Sequence, residues 1–140
     1  MFFNRYSSKY KIGVIDDDKG FLEETKKIYE GKDLFVDVFL YPDDIGSFYR
    51  MSSKFDLMLV GSELGGFNGA NVVRKLLSSD VGGTVIMVSD VIGDNHRDFN
   101  YYVSKGELMG NPDCVLYKDR DIVEQAVEAS VLLQKRVVTV

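Results

Sequence analysis

Short apolar runs alternate along the chain with stretches whose apolar residues recur at helical spacing. Lys11–Ile15 (KIGVI) predicts a strand that stops abruptly at three aspartates. Phe21, Leu22, Thr25, Ile28 and Tyr29 then share one helical face, with Gly31 placed as a C-cap. Leu34–Leu40 (LFVDVFL) reads as a second strand carrying one polar residue, Asp37. Pro42 is expected to open a short helix, with Asp43 and Asp44 suited to its first turn. Phe55–Val60 predicts a third strand that runs into a glycine-rich loop, Gly61–Gly69. Val72, Val73, Leu76 and Leu77 form the helical face that follows. Thr84–Val88 is almost wholly apolar, as a strand covered on both faces should be. The pattern is weakest from Asp90 to Asp113, where it supports one helix from about His96 to Lys105. Cys114–Tyr117 is a fifth strand, and Ile122, Ala126, Ala129 and Leu133 mark a last helix ending near Arg136. The apolar tail VVTV either continues that helix or docks on a partner.

Strand and helix thus alternate about five times with short connections. Such an alternation predicts a doubly wound α/β domain: a parallel sheet with helices on both faces. In such sheets, ligands and chemistry sit at the carboxyl ends of the strands.

Length and charge narrow the setting. A chain of 140 residues makes one domain, which if it is the whole protein is expected to deliver its output through its own surface, and 45% apolar with 28% charged residues is an ordinary globular balance. A net charge of −5 argues against nucleic acid as the main partner, because Lys and Arg must supply affinity for its phosphates. The single cysteine, Cys114, cannot form an internal bridge, which fits a reducing compartment and a cytoplasmic location. No apolar stretch is long enough to cross a membrane, and MFFNRYSSKYK is no signal peptide. His96, the one histidine, has no companion ligands for a zinc site.

The fold would bring four places together. Asp16, Asp17 and Asp18 follow the first strand, Gly61 and Ser62 the third, Ser89 and Asp90 the fourth, and Lys118 the fifth. Adjacent carboxylates repel, so a buried pair needs a cation such as Mg2+ or a lysine. The sequence leaves both open for Asp16 and Asp17, whereas Asp18 is placed as a helix cap.

KIGVIDDD, FDLMLVGSELGGFNG, TVIMVSD and VLYKD, in this order and spacing, resemble the receiver domain of bacterial two-component response regulators. The resemblance covers residues 10 to 136, nearly the whole single domain of 1–140. It implies a five-stranded (βα)5 flavodoxin-like fold with strand order 2-1-3-4-5. It also implies that Asp16 and Asp17 match an Mg2+-binding pair, that Ser89 contacts a phosphoryl group and that Lys118 pairs with it.

Departures from the family pattern carry as much information. The phosphoacceptor aspartate of the family ends the third strand, where this chain has Gly61. Glycine can neither accept a phosphoryl group nor ligate a metal. Ser62 should face away from the pocket by strand alternation, while Glu63 is close enough to swing inward. The prolines usual after the acceptor and after the lysine are Gly65 and Asp119, and the aromatic residue of the usual rotamer switch is Val115. The 28 residues from 90 to 117 look longer than the family norm, and their Tyr101 and Tyr102 are candidates for partner contact or for the core.

The reading that follows is a pseudo-receiver. It would act by contact with another protein, a signalling partner or itself as a homodimer, without aspartyl phosphate and with at most weak Mg2+ binding. The alternative is a small Mg2+-dependent phosphohydrolase using Asp16 as nucleophile and Asp18 as acid/base. Against it, Lys19 and Gly20 stand where a threonine usually follows that Asp-x-Asp. A flavin or nucleotide site is disfavoured because three aspartates after the first strand would repel its phosphate.

Overall fold

A computed structural model describes residues 10–30, 34–79, 83–89, 114–118 and 121–138. The expected helix from His96 to Lys105, with Tyr101 and Tyr102, and the Gly31 cap lie outside them. In chain order the elements are β1 (Tyr10–Asp16), α1 (Lys19–Tyr29), β2 (Leu34–Leu40), α2 (Ile45–Met51), a 3-10 turn (Ser52–Lys54) and β3 (Leu57–Gly61). There follow β4 (Glu63–Leu64), β5 (Phe67–Asn68), α3 (Gly69–Ser78), β6 (Thr84–Ser89), β7 (Cys114–Tyr117) and α4 (Ile122–Val138).

Five strands form one parallel sheet in the order β2-β1-β3-β6-β7. Counting only these strands, the order is 2-1-3-4-5, as the receiver resemblance implies. All five residues of β3 are buried, and so are the last five of β6, Val85–Ser89, as central strands flanked by helices must be. Leu22, Thr25 and Tyr29 of α1 and Val72, Val73 and Leu76 of α3 turn inward at helical spacing. Phe39, Phe48 and Phe55 pack ring against ring at centroid distances of 5.2 to 6.3 Å, closing the core between β2, α2 and β3. Ile122, Val123, Ala126 and Ala129 bury the inner face of α4, which runs on to Val138, so the VV of the tail does continue the last helix. Among the described residues no helix is long and apolar enough to cross a membrane.

Several boundaries differ from those expected from the sequence. Pro42 does not open α2; residues 41–44 form a turn, and Asp44 accepts the Leu40 N–H at 3.0 Å instead of capping with its side chain. Phe55 precedes β3 as an extended residue after the 3-10 turn. Leu77, expected on the inner face of α3, is 42% exposed, one residue before the helix ends at Ser78. The glycine-rich loop is ordered: β4 and β5 pair as a small antiparallel hairpin about Gly65 and Gly66, and α3 starts at Gly69 itself. Both turn glycines have positive φ, 57° and 90°, which side chains on Cβ disfavour.

Candidate functional site

The carboxyl ends of β1, β3, β6 and β7 lie side by side, and of the residues singled out at those ends Asp16, Asp18, Ser89 and Lys118 are brought together there, while Asp90 lies outside the described residues. Asp16 is the last residue of β1 and is buried. Lys118 follows β7 and reaches across to it: Nζ lies 3.1 Å from Asp16 Oδ1 and 3.6 Å from Asp18 Oδ2. The ammonium group also sits 4.5 Å from the centroid of the Phe21 ring, so an aromatic face covers the pair. Asp16 Oδ1 accepts the Asp18 N–H at 3.0 Å as well. Of the two cations the sequence left open for Asp16, the lysine is in place beside the buried carboxylate.

Asp18 caps α1, its Oδ1 accepting the Phe21 N–H at 3.1 Å, as placed from the sequence. Asp17 is exposed and points to the hairpin, where its Oδ2 accepts the Gly65 N–H at 2.8 Å. Ser89 is buried at the end of β6, and its carbonyl accepts the Lys118 N–H at 2.7 Å, which anchors the lysine backbone.

Position 61 is the most informative. A Cβ added to Gly61 would lie 2.8 Å from Asp16 Oδ2 and 3.1 Å from Leu64 Cδ2. A side chain there would thus project directly at the Asp16 carboxylate. Leu64, fully buried, fills the space beside it. Glu63, close enough in sequence to have swung inward, is exposed and pairs with Asn68 across the hairpin; its apolar neighbour turns in instead. Leu64 was missed from sequence, although its signal was there. With Phe67 it is one of two large apolar residues in an otherwise glycine-rich and polar loop.

The donor set is a poor match for a hard dication, which takes carboxylates together with water. Asp16 is held by a lysine, Asp17 by a backbone amide, Asp18 by a helix end, and Gly61 contributes nothing. The same engagements occupy Asp16 and Asp18, the two carboxylates of the phosphohydrolase reading.

Electrostatics separate the two aspartates. Burial pushes the Asp16 carboxyl above its ordinary value of 3.8, against the opposing pull of Lys118 and of the Asp18 amide. Asp18 moves the other way, held below 3.8 mainly by the Phe21 amide. An acid with a raised folded-state pKa binds more protons folded than unfolded, so its contribution to stability declines as pH rises from 3.8 through the folded value. The lowered Asp18 contributes stability above 3.8 that is lost as pH falls below it. Asp16→Asn is therefore expected to remove the decline above pH 3.8 and leave the acid limb, which urea denaturation at stepped pH would read. A wild-type curve with no such decline would contradict the assignment.

Solved structures of similar shape share this topology. The receiver domain protein of Methanospirillum hungatei, described as CheY-like, is 23% identical, with 92% of this chain and 99% of that one covered at a TM-score of 0.62. The BeF3-activated receiver domain of DrrB, a Thermotoga maritima response regulator, is 22% identical over 88% of this chain and 97% of its own, with a TM-score of 0.63. The signal receiver domain of an HD domain-containing protein from Pseudomonas fluorescens reaches a TM-score of 0.65 at 14% identity, covering 91% and 98%. The chain has the receiver fold. No family model matches the sequence, and no curated protein matches it either. Likeness therefore rests on the arrangement of elements, and within the receiver fold the acidic pocket of this chain lies where β1, β3, β6 and β7 end.

Proposed function

We propose that this chain is a receiver-like signalling module of two-component type that works by protein–protein contact and does not use an aspartyl phosphate. The reading rests above all on Gly61: its missing side chain would have faced Asp16, and buried Leu64 closes the gap. Without a carboxylate there, the pocket lacks both the nucleophile and the third metal ligand that a receiver needs. Lys118, which the family resemblance pairs with a phosphoryl group, instead neutralises Asp16. The pocket remnants Asp16, Asp17, Ser89 and Lys118 then have a structural role, holding the β1, β6 and β7 ends in one fixed arrangement. Receiver domains act through other proteins, and a partner would be met on the surface of this domain. Tyr101 and Tyr102 remain candidates for that surface.

A magnesium titration followed by NMR tests the closed pocket. Wild type is expected to bind no tighter than roughly millimolar, since its carboxylates are otherwise engaged and one of the set is missing. Gly61→Asp combined with Leu64→Ala, which restores a carboxylate and removes the Leu64 contact while Asp16 Oδ2 gives way, is expected to bind more tightly. Micromolar binding by wild type would contradict the proposal.

A further inference from the structure

Among the described residues β2 ends the sheet and pairs on one side only, with β1. The direction of its backbone groups follows from alternation and one hydrogen bond. Tyr41 N–H donates to Asp16 O at 2.9 Å, so odd-numbered residues of β2 turn their N–H and C=O toward β1 and even-numbered ones turn theirs outward. On the far side of β1 the parity agrees, because the Lys11 carbonyl accepts from Asp56 N–H on the β3 side. At Leu40 both outward groups are taken: the N–H by Asp44 Oδ2 at 3.0 Å and the C=O by Asp44 N–H at 2.7 Å. Leu34, Val36 and Val38 are left, and among the described residues no hydrogen bond takes up their outward groups.

Natural edges are usually guarded by proline, lysine, a bulge or a short strand. β2 has none of these. It is seven residues long, its register with β1 is continuous from Tyr10↔Leu34 to Asp16↔Leu40, and it contains neither proline nor lysine. Phe35 stands 45% exposed on it. Its one charge, Asp37, lies 3.9 Å from Lys26 Nζ.

We propose that this edge pairs antiparallel with β2 of a second copy of the chain, about a two-fold axis at Val36, joining two five-stranded sheets into one. The open positions select both partner and register. Centred on Val36, the pairs Leu34–Val38, Val36–Val36 and Val38–Leu34 each exchange two hydrogen bonds, about six in all. Phe35 then stands opposite Asp37 of the second copy, which leaves Asp37 with its own Lys26. Centring on Asp37 would set like charges face to face and call on Leu40, whose groups Asp44 already holds, leaving about four bonds. Centring on Phe35 would set Val38 opposite position 32, outside the described residues, leaving about four bonds within the described strands. A partner strand has to offer three outward residues at alternate positions and go no further, because Asp44 closes the edge at Leu40. A second β2 offers that set and meets the same stop, so each copy satisfies the other's open positions. This interface depends on the sheet edge alone and stands or falls separately from what happens at position 61.

Sedimentation of the full chain, under reducing conditions and across a wide concentration range, is expected to show a monomer–dimer equilibrium. Amide exchange at Leu34, Val36 and Val38 should slow on dimerisation, while Leu40, already bonded to Asp44, stays unchanged. Val38→Pro removes one outward N–H and keeps the bonds to β1, as edge strands tolerate, and is expected to lose the dimer. A monomer at every concentration overturns the proposal. So does a dimer in which those three amides exchange as fast as in dilute solution, or a folded Val38→Pro that still dimerises. Should Val38→Pro not fold, the wild-type amide comparison decides between dimer and monomer edge.

Discussion

Gly69→Ala is expected to destabilise the protein by about 3 kcal/mol, the upper range for forcing atoms into a packed interior. A Cβ at residue 69 would collide with the Gly61 carbonyl oxygen and lie 2.9 Å from its carbon and 3.2 Å from Ser62 Cα. All three are backbone atoms, so no rotamer change relieves the clash. The crowding comes from the hairpin: the chain leaves β3 at Gly61, runs through β4 and β5, and returns so that Gly69 N–H donates to Ser62 O at 2.8 Å. Gly66→Ala is the matched control. Its Cβ would meet nothing within 4 Å, and only the positive φ of 90° opposes it, at about 1 kcal/mol. Urea denaturation of the two variants beside wild type should therefore separate steric closure from backbone strain. Equal losses would mean that the return of the chain onto Gly61 is looser than described.

Lys118→Met is expected to cost about 3 kcal/mol near neutral pH, because it leaves the buried carboxylate of Asp16 without its cation. Asp16 is 4% exposed at its side chain and Lys118 15%, so solvent screens the pair little. The loss should shrink as pH falls, since Asp16 then escapes the penalty by taking a proton. Asp16→Asn combined with Lys118→Met should recover much of the loss, giving a coupling energy well above that of an exposed pair. Asp18, 54% exposed at its side chain and 3.6 Å from the same ammonium, should couple far less. Chemical denaturation of the four members of each cycle at two pH values reads both. A Lys118→Met variant as stable as wild type at every pH would show that the pair does not hold the strand ends together.

Most of the sheet was legible because its signal is local. β2 and β7 match their apolar runs residue for residue, whereas the order of strands came from the receiver resemblance and from no local signal. The start of α2 was not legible, because proline and two acids are what a helix terminus shows, yet Asp44 is spent on the β2 edge. Phe55 reads as strand from its apolar neighbours, but it lies before β3 and gives its ring to the cluster with Phe39 and Phe48. At the strand ends, Asp16, Ser89 and Lys118 stood out because charges and hydroxyls there are conspicuous. Leu64 was not, since an apolar residue in a polar loop announces burial without saying where. Only the folded hairpin shows that it is buried against Gly61.

On the proposed reading Gly61 stands at the acceptor position with Leu64 packed beside it, and the pocket should be unable to take a phosphoryl group. Incubation of the wild-type chain with acetyl phosphate and magnesium, followed by intact mass, asks this directly. No added phosphoryl group is expected. A stoichiometric adduct that survives acid and is lost in base would contradict the pseudo-receiver reading, because an aspartate of this pocket would then be accepting phosphate after all.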